Sequence, residues 1–136
     1  MYAAQSVPTP SFEDSIFWAG TKERRLVLPH CRACNHVWFP PYAACPRCFS
    51  QDLDWLDAVG RGSLFGWTEI HARPSASYPD PVRYIVALVE LAEGPLMFSR
   101  LIDLEWDELH LGLPLEVVFD DVTPDVTIPR FRPFTD

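Results

Sequence analysis

The chain has 136 residues, of which 48% are hydrophobic and 13% aromatic, enough to bury one ordinary core or two very small ones. Its formal net charge is −8, with five Lys/Arg against three Asp/Glu in residues 1–50 and six against sixteen in residues 51–136. This composition argues against free nucleic acid as a ligand, because phosphate binding needs a basic stripe.

A membrane location is also disfavoured. No apolar run approaches the roughly 20 residues that cross a bilayer. Residues 1–10 contain neither the charged nor the apolar region of an export signal. We therefore expect a cytoplasmic protein that makes no membrane contact.

The first predicted element is a helix over residues 11–19. Ser11 has the residue type of an N-cap, acids follow in the first turn, and apolar residues recur at helical spacing. Gly20 is expected to close this helix. The apolar stretch Arg25–Leu28 then predicts a short strand that leads to the first cysteine.

All four cysteines occur in two Cys-x-x-Cys pairs separated by ten residues. Each pair bends the backbone into a knuckle that directs both sulfurs to one point, and two knuckles supply four tetrahedral ligands about 2.3 Å from a zinc ion. Four thiolates leave no open position for water, so one structural zinc per chain is expected. The predicted ligands are Cys31, Cys34, Cys45 and Cys48.

Other uses of these cysteines are weaker hypotheses. Two disulfides would need an oxidising compartment, and a thioredoxin-like redox pair would be single. Iron in the same four-sulfur geometry remains open. The residue after each second cysteine, usually glycine, is here Asn35 and then Phe49. Asparagine tolerates positive φ but phenylalanine does not readily, so the second knuckle is expected to end in a different turn or to carry strain.

The ribbon is predicted over residues 30–58, after an N-terminal helical segment over 1–29 and before a barrel with a C-terminal arm over 59–136. The barrel part contains segments rich in branched and aromatic residues, which predict five strands. A helical turn over 106–109 follows the third strand. This order is typical of a mainly β protein with an OB-fold barrel, while a small sandwich or an SH3-like barrel remains the alternative. The predicted strands are Ser63–Ala72, Arg83–Leu91, Leu96–Leu104, Leu115–Asp121 and Val126–Arg132.

Several apolar side chains are candidates for a partner interface. Two neighbouring aromatic residues on the N-terminal helix cannot both point inward, and the ribbon hairpin is too small to bury its own apolar groups. Packing of the ribbon on the barrel is the equally weighted alternative. The tail Ile128–Phe134 is either an arm that docks on a partner or the last barrel strand. The interface candidates are Phe17, Trp18, Trp38, Phe39, Pro40 and Tyr42.

Taken together, these residues resemble the DUF35 family, which joins an N-terminal helix and a rubredoxin-like zinc ribbon to an OB-fold. The resemblance covers residues 12–134, and it departs from the family pattern at Asn35, Phe49 and Tyr42. It is carried by Phe17-Trp18, the cysteine quartet with Phe39-Pro40-Pro41 between its pairs, Gly60-Arg61-Gly62-Ser63-Leu64, Tyr84–Leu91, Glu93-Gly94-Pro95, Gly112 and Pro129–Phe134.

The resemblance implies a partner protein. Family members resemble accessory subunits of thiolase-superfamily proteins that act on acyl-CoA, namely thiolases, thiolase-like aldolases of steroid breakdown and acyltransferases, and some pair with hydratase-like proteins. Acyl-CoA would then lie at the subunit junction, where its phosphates need cations. The loop Pro74–Pro81 is an alternative lip of the substrate channel. The candidate phosphate contacts are Lys22, Arg24, Arg25, Arg32 and Arg47.

The chain shows no catalytic residues of its own. It has no free thiol once zinc takes all four, no Gly-x-Ser-x-Gly motif and no His-Glu-x-x-His motif. We therefore predict a non-catalytic accessory subunit that stabilises its partner. The alternative is a single-stranded nucleic-acid or regulatory binding module, for which a basic, aromatic-studded face is not evident in the sequence.

Overall fold

The computed structural model describes residues 7–74 and 82–135. Its first element is the helix α1, Ser15–Lys22, so the predicted start at Ser11 is wrong. The Ser11 amide and hydroxyl donate to the Asp14 carboxylate at 2.5 and 3.0 Å, and Asp14 is the N-cap residue. None of the helices in the described ranges is long and apolar enough to cross a membrane.

Gly20 lies inside α1 and does not close it, which corrects the predicted end of the helix. It is buried against the strand that follows, where a Cβ atom would come 3.0 Å from Val27 Cγ2 and 3.2 Å from the Arg25 carbonyl oxygen. Gly20 therefore serves close packing of the helix on that strand.

The ribbon is built on two antiparallel strands, β1 (Val27–Cys31) and β2 (Leu53–Asp57). β1 therefore begins two residues later than the predicted strand and extends as far as the first cysteine. It is almost wholly buried, because α1 packs against it and Leu28 reaches the main core. The strand thereby connects the metal-binding hairpin to the interior of the molecule.

The remaining strands are β3 (Arg61–Ala72), β4 (Val82–Leu91), β5 (Leu96–Leu101), β6 (Pro114–Asp121) and β7 (Thr127–Pro133). They form one closed barrel, in the order β3-β4-β5-β7-β6. A 3-10 turn, Trp106–Glu108, follows the third barrel strand as predicted. This architecture confirms the predicted fold class, an OB-fold barrel after a helix and a ribbon.

Two details of the barrel differ from or extend the sequence prediction. β5 ends at Leu101 and not at Leu104, since the chain turns at Asp103, whose φ is 58°. The C-terminal tail is the last barrel strand, β7, which pairs with β6 along its length. By contrast β7 has a single paired position with β5, Leu101↔Phe131, so the barrel is weakly joined there.

One hydrophobic core joins the three parts of the chain. Phe17 of α1 is 3% exposed, and it belongs to the same buried cluster as Leu28 of β1 and Phe131 of β7. The positions of the helix and the ribbon against the barrel are therefore set by packing in this core.

Residues 75–81, most of the predicted channel lip Pro74–Pro81, lie outside the described residues.

Candidate metal centre and adjoining surfaces

The four cysteine sulfurs converge on one point between the two knuckles. All four lie within 4.8 Å of one another, with 3.6 Å between Cys31 and Cys48 and 3.7 Å between Cys34 and Cys45. A tetrahedral zinc ion with bonds of about 2.3 Å would separate its sulfur ligands by about 3.8 Å. The sulfur geometry therefore fits one zinc ion, and the predicted cofactor is confirmed as one that the cluster can bind.

The two knuckles have the same backbone hydrogen bonds. In the first, the Asn35 amide donates to the Cys31 carbonyl at 2.8 Å; in the second, the Phe49 amide donates to the Cys45 carbonyl at 2.8 Å. Asn35 and Phe49 both have φ of 64°. The second knuckle therefore makes the same turn as the first, with phenylalanine in a conformation that favours glycine.

The surroundings of Cys34 and Cys45 move the pKa values of these two thiols in opposite directions. Burial raises the pKa of Cys45, but the backbone amides of Cys48 and Arg47 outweigh it and lower that pKa to about 7. At Cys34 the His36 amide lowers the pKa, but burial and the neighbouring sulfurs raise it to about 12. Like charges resist sharing one site, and a zinc ion removes that opposition.

The cluster has its own small apolar shell. Trp38, which is 5% exposed, packs with Cys31 and Cys45, and the His36 ring stacks on it with 5.7 Å between ring centroids. His30 is used elsewhere, because its Nδ1 lies 2.6 Å from the Asp54 carboxylate. The histidines near the knuckles thus pack around the sulfur site or pair with a carboxylate.

The predicted phosphate contacts fall into two groups. Three arginines already pair with carboxylates: Arg24 with Asp121, Arg25 with Glu23 and Asp57, and Arg32 with Asp52 and Asp54. These pairs have N···O distances of 2.6 to 3.2 Å. Lys22 and Arg47 have no ion pair within the described part of the chain. Three of the five predicted cations therefore already have carboxylate partners within the chain.

The six predicted interface residues are also divided by the fold, and Trp18 is half-buried. Phe17 and Trp38 are buried inside the chain, and Phe39 is half-buried with its ring centroid 5.3 Å from that of Phe17. Pro40 and Tyr42 are exposed on the ribbon. The ribbon therefore packs Phe39 on the helix and barrel, and leaves Pro40 and Tyr42 accessible.

An apolar slot lies where the helix, the ribbon and the barrel meet. It has a volume of about 170 Å³ and lies beside the weakly joined edges of β5 and β7. Phe98 and Arg100 of β5 line it and were not predicted from the sequence; both lie on the face of the strand opposite the buried Met97 and Leu101. The slot is lined by Phe17, Trp18, Phe39, Met97, Phe98, Ser99, Arg100, Ile128 and Pro129.

Two family models match consecutive parts of the chain. Residues 18–54 match the rubredoxin-like zinc ribbon domain of ChsH2, and residues 55–120 match the ChsH2 C-terminal OB-fold domain. A DUF35 domain-containing scaffold protein of Pyrococcus furiosus is 34% identical over 106 residues, which cover 76% of each protein. The chain belongs to the DUF35 family.

Two further similarities are to proteins whose names include an enzyme activity. A probable enoyl-CoA hydratase alpha subunit of Thermomonospora curvata is 36% identical over 93% of this chain, which spans 40% of that protein's length. A solved structure described as "Ltp2-ChsH2(DUF35) aldolase" superposes with a TM-score of 0.82 and 33% identity, covering 93% of this chain and 98% of the matched one. The chain therefore spans less than half of the matched hydratase subunit and nearly all of the chain matched in the aldolase structure.

Proposed function

We propose that this chain is a non-catalytic accessory subunit that binds and stabilises a thiolase-superfamily partner and helps form the channel for its acyl-CoA substrate. One observation carries the proposal. This chain superposes on 98% of a chain from the structure described as "Ltp2-ChsH2(DUF35) aldolase", with a TM-score of 0.82. The partner would be a thiolase, a thiolase-like aldolase or an acyltransferase. A hydratase-like protein would be a second member of the assembly, given the hydratase alpha subunit that the chain resembles.

The chemistry of the chain supports a non-catalytic role. Its four cysteines converge on one site, and a zinc ion bound by four thiolates has no open position for water or substrate. No thiol is then left as a nucleophile. The partner's own residues would therefore carry the reaction.

The slot beside β5 supports a place for an acyl chain at the subunit junction. Its wall is mostly apolar, and Arg100 contributes a guanidinium group to it. The cations that would contact the CoA phosphates are Lys22, Arg24, Arg25, Arg32 and Arg47. Arg24, Arg25 and Arg32 would first have to break their ion pairs, whereas Lys22 and Arg47 have no ion pair among the described residues.

Affinity isolation of the tagged chain from its own organism at moderate salt tests the proposal, with mass spectrometry of what is recovered. A thiolase-superfamily protein in a fixed ratio to the tagged chain is the expected result. Its assay with acyl-CoA, with and without the tagged chain, should show that stability or turnover depends on the accessory subunit. Recovery of nucleic acid instead, or of no partner, would favour a nucleic-acid or regulatory binding module and overturn the proposal.

A further inference from the structure

Phe98 is an unusually exposed aromatic residue for the middle of a barrel strand. Its side chain is 70% exposed on the outer face of β5. Leu88 of β4 lies opposite Phe98, and Gly66 of β3 lies opposite Leu88, so the three form one row across the sheet. Val86 and Thr68 occupy the next row beside Arg100. Apolar side chains thus cover the centre of an outer face.

Depressions lie on both sides of Phe98. One is the apolar slot already described, and the other is a groove of about 260 Å³ that includes Gly66, Val86 and Leu88. The groove is open at Gly66, where an added Cβ atom would meet nothing within 4 Å. A raised aromatic ring between two apolar hollows is a shape that another protein surface can complement closely.

The charge of this face differs from that of the rest of the chain. The whole chain has 19 Asp/Glu, yet the outward-facing residues of the rows from Gly66 to Ile70 include none, and Glu90 is the acid nearest to Phe98 along β4. Arg100 supplies a cation in the second row. Depletion of charged residues is typical of the buried centre of an interface.

Arg100 is held in place without an ionic partner. Its guanidinium carbon lies 4.0 Å from the centre of the Tyr84 ring, and no carboxylate pairs with it among residues 7–74 and 82–135. A surface that covered Phe98 would also partly desolvate this guanidinium. A buried cation is tolerated when a carboxylate faces it.

We propose that the outer face of β3, β4 and β5 around Phe98 is the surface that the enzyme partner covers, with an apolar patch over Phe98 and a carboxylate opposite Arg100. This inference rests on the proposed function, since it names the surface for that partner. A second copy of the chain is a poorer occupant because it carries the same net charge of −8. The partner would also close the open side of the apolar slot.

Phe98→Asp tests the proposal, with Phe12→Asp as the matched control. Phe12 is 92% exposed on the segment before α1 and lies outside this face. Both variants should keep one zinc per chain and the melting temperature of the unsubstituted chain, because neither side chain is buried. Phe98→Asp should reduce recovery of the thiolase-superfamily protein at least tenfold, and Phe12→Asp should leave it unchanged.

Arg100→Gln tests the predicted carboxylate. We expect a several-fold loss of affinity for the partner at low salt, a smaller loss at high salt, and partial recovery in Arg100→Lys. If Arg100→Gln and the unsubstituted chain bind the partner with equal affinity at both salt concentrations, no carboxylate of the partner faces Arg100.

These experiments distinguish failure of the proposed surface from failure of the proposed function. If the unsubstituted chain recovers the partner and Phe98→Asp recovers it equally well, the surface is wrong and the proposed function stands. If the unsubstituted chain recovers no thiolase-superfamily protein, the proposed function fails and this inference fails with it. If the isolated chain is a dimer that Phe98→Asp converts to a monomer, the face belongs to a second copy and the proposal is overturned.

Discussion

At the scale of single residues, Phe49 of the second zinc knuckle has a backbone conformation that is unfavourable for its residue type. Phe49 has φ of 64°, and its side chain is 79% exposed, so no packing inside the chain offsets the unfavourable backbone. A non-glycine residue in this region costs on the order of 1–3 kcal/mol. The matching residue of the first knuckle, Asn35, tolerates the same φ more readily.

Phe49→Asn should therefore stabilise the zinc-loaded chain by about 1 kcal/mol, because asparagine adopts positive φ at lower cost. Chemical denaturation with zinc in excess measures the free energy of unfolding. Phe49→Leu is the control, since it removes the aromatic ring but keeps an unfavourable residue type. An equal gain in both variants would show that exposure of the ring, and not the backbone, sets the cost.

Replacing one zinc ligand should unfold the ribbon. Cys31→Ser or Cys45→Ser should bind less than one zinc per chain and yield insoluble or unfolded protein, because a structural zinc contributes on the order of 10 kcal/mol to folding. Metal analysis and circular dichroism measure both effects. Ala33→Ser, an exposed position of the first knuckle, is the control and should keep its metal. A folded Cys31→Ser protein without metal would contradict a structural role for zinc.

At the scale of elements, β3 contains two glycines in different surroundings. A Cβ atom on Gly62 would lie 2.5 Å from the Glu90 carbonyl oxygen and 2.8 Å from Val89 Cγ1, both on the neighbouring strand β4. At Gly66 a Cβ atom would meet nothing within 4 Å. The close approach of β3 to β4 thus depends on the first glycine and not on the second.

Gly62→Ala should destabilise the barrel by about 2 kcal/mol, since backbone atoms of β4 would have to move. Gly66→Ala is the matched control on the same strand and should change the free energy of unfolding by less than about 0.5 kcal/mol. Thermal and denaturant unfolding of the two variants provide the measurement. Similar stability of both variants would mean that β4 shifts at little cost.

At the scale of the whole molecule, an ion pair ties the end of α1 to the barrel. Both Arg24 guanidinium nitrogens bond the Asp121 carboxylate, at 2.9 and 2.6 Å, and the Thr127 hydroxyl donates to the same carboxylate at 2.6 Å. The Arg24 contact, then the Thr127 contact, lowers the pKa of Asp121 to about 2. Solvent reaches the pair, so salt should weaken it.

Asp121→Asn should lower the melting temperature at pH 7 in low salt, and 1 M salt should narrow the difference. The folded-state pKa lies below the ordinary value of 3.8, so this carboxylate stabilises the fold fully above about pH 4 and loses its effect as pH falls through about 2. A melting series from pH 7 down to the lowest pH at which metal analysis still finds one zinc per chain measures the gap between the two proteins, because the cysteine thiolates release zinc when they protonate. Asp125→Asn, at a nearby exposed position, is the control. A gap that narrows already between pH 7 and about pH 4 would contradict the lowered pKa of Asp121.

The shared core makes the molecule one unit at this largest scale. Phe17, Leu28 and Phe131 come from the helix, the ribbon and the last strand, and all three are buried in one cluster. Contacts between such separated segments explain why sequence patterns offered no preference between packing on the barrel and partner binding for Trp38 and Phe39. Hydrophobicity identifies residues that need covering, whereas only the assembled fold shows what covers them.

The sequence by itself determined the metal site, the order of the elements and the family. The spacing of Cys31, Cys34, Cys45 and Cys48 is local, and so is the enrichment of the five barrel segments in branched and aromatic residues, so both could be predicted from neighbouring residues. The helix ends were less predictable. Asp14, and not Ser11, is the N-cap residue, and Gly20 packs closely against Val27 and does not end the helix.

Only the tertiary structure decided which charged and aromatic groups are accessible. Arg24, Arg25 and Arg32 form one cluster with Lys22 and Arg47 along the chain, yet folding brings carboxylates from distant segments to three of the five. The face around Phe98 arises in the same way, from three strands that lie side by side. Such surfaces depend on strand register and on long-range packing, which no local pattern of residues encodes.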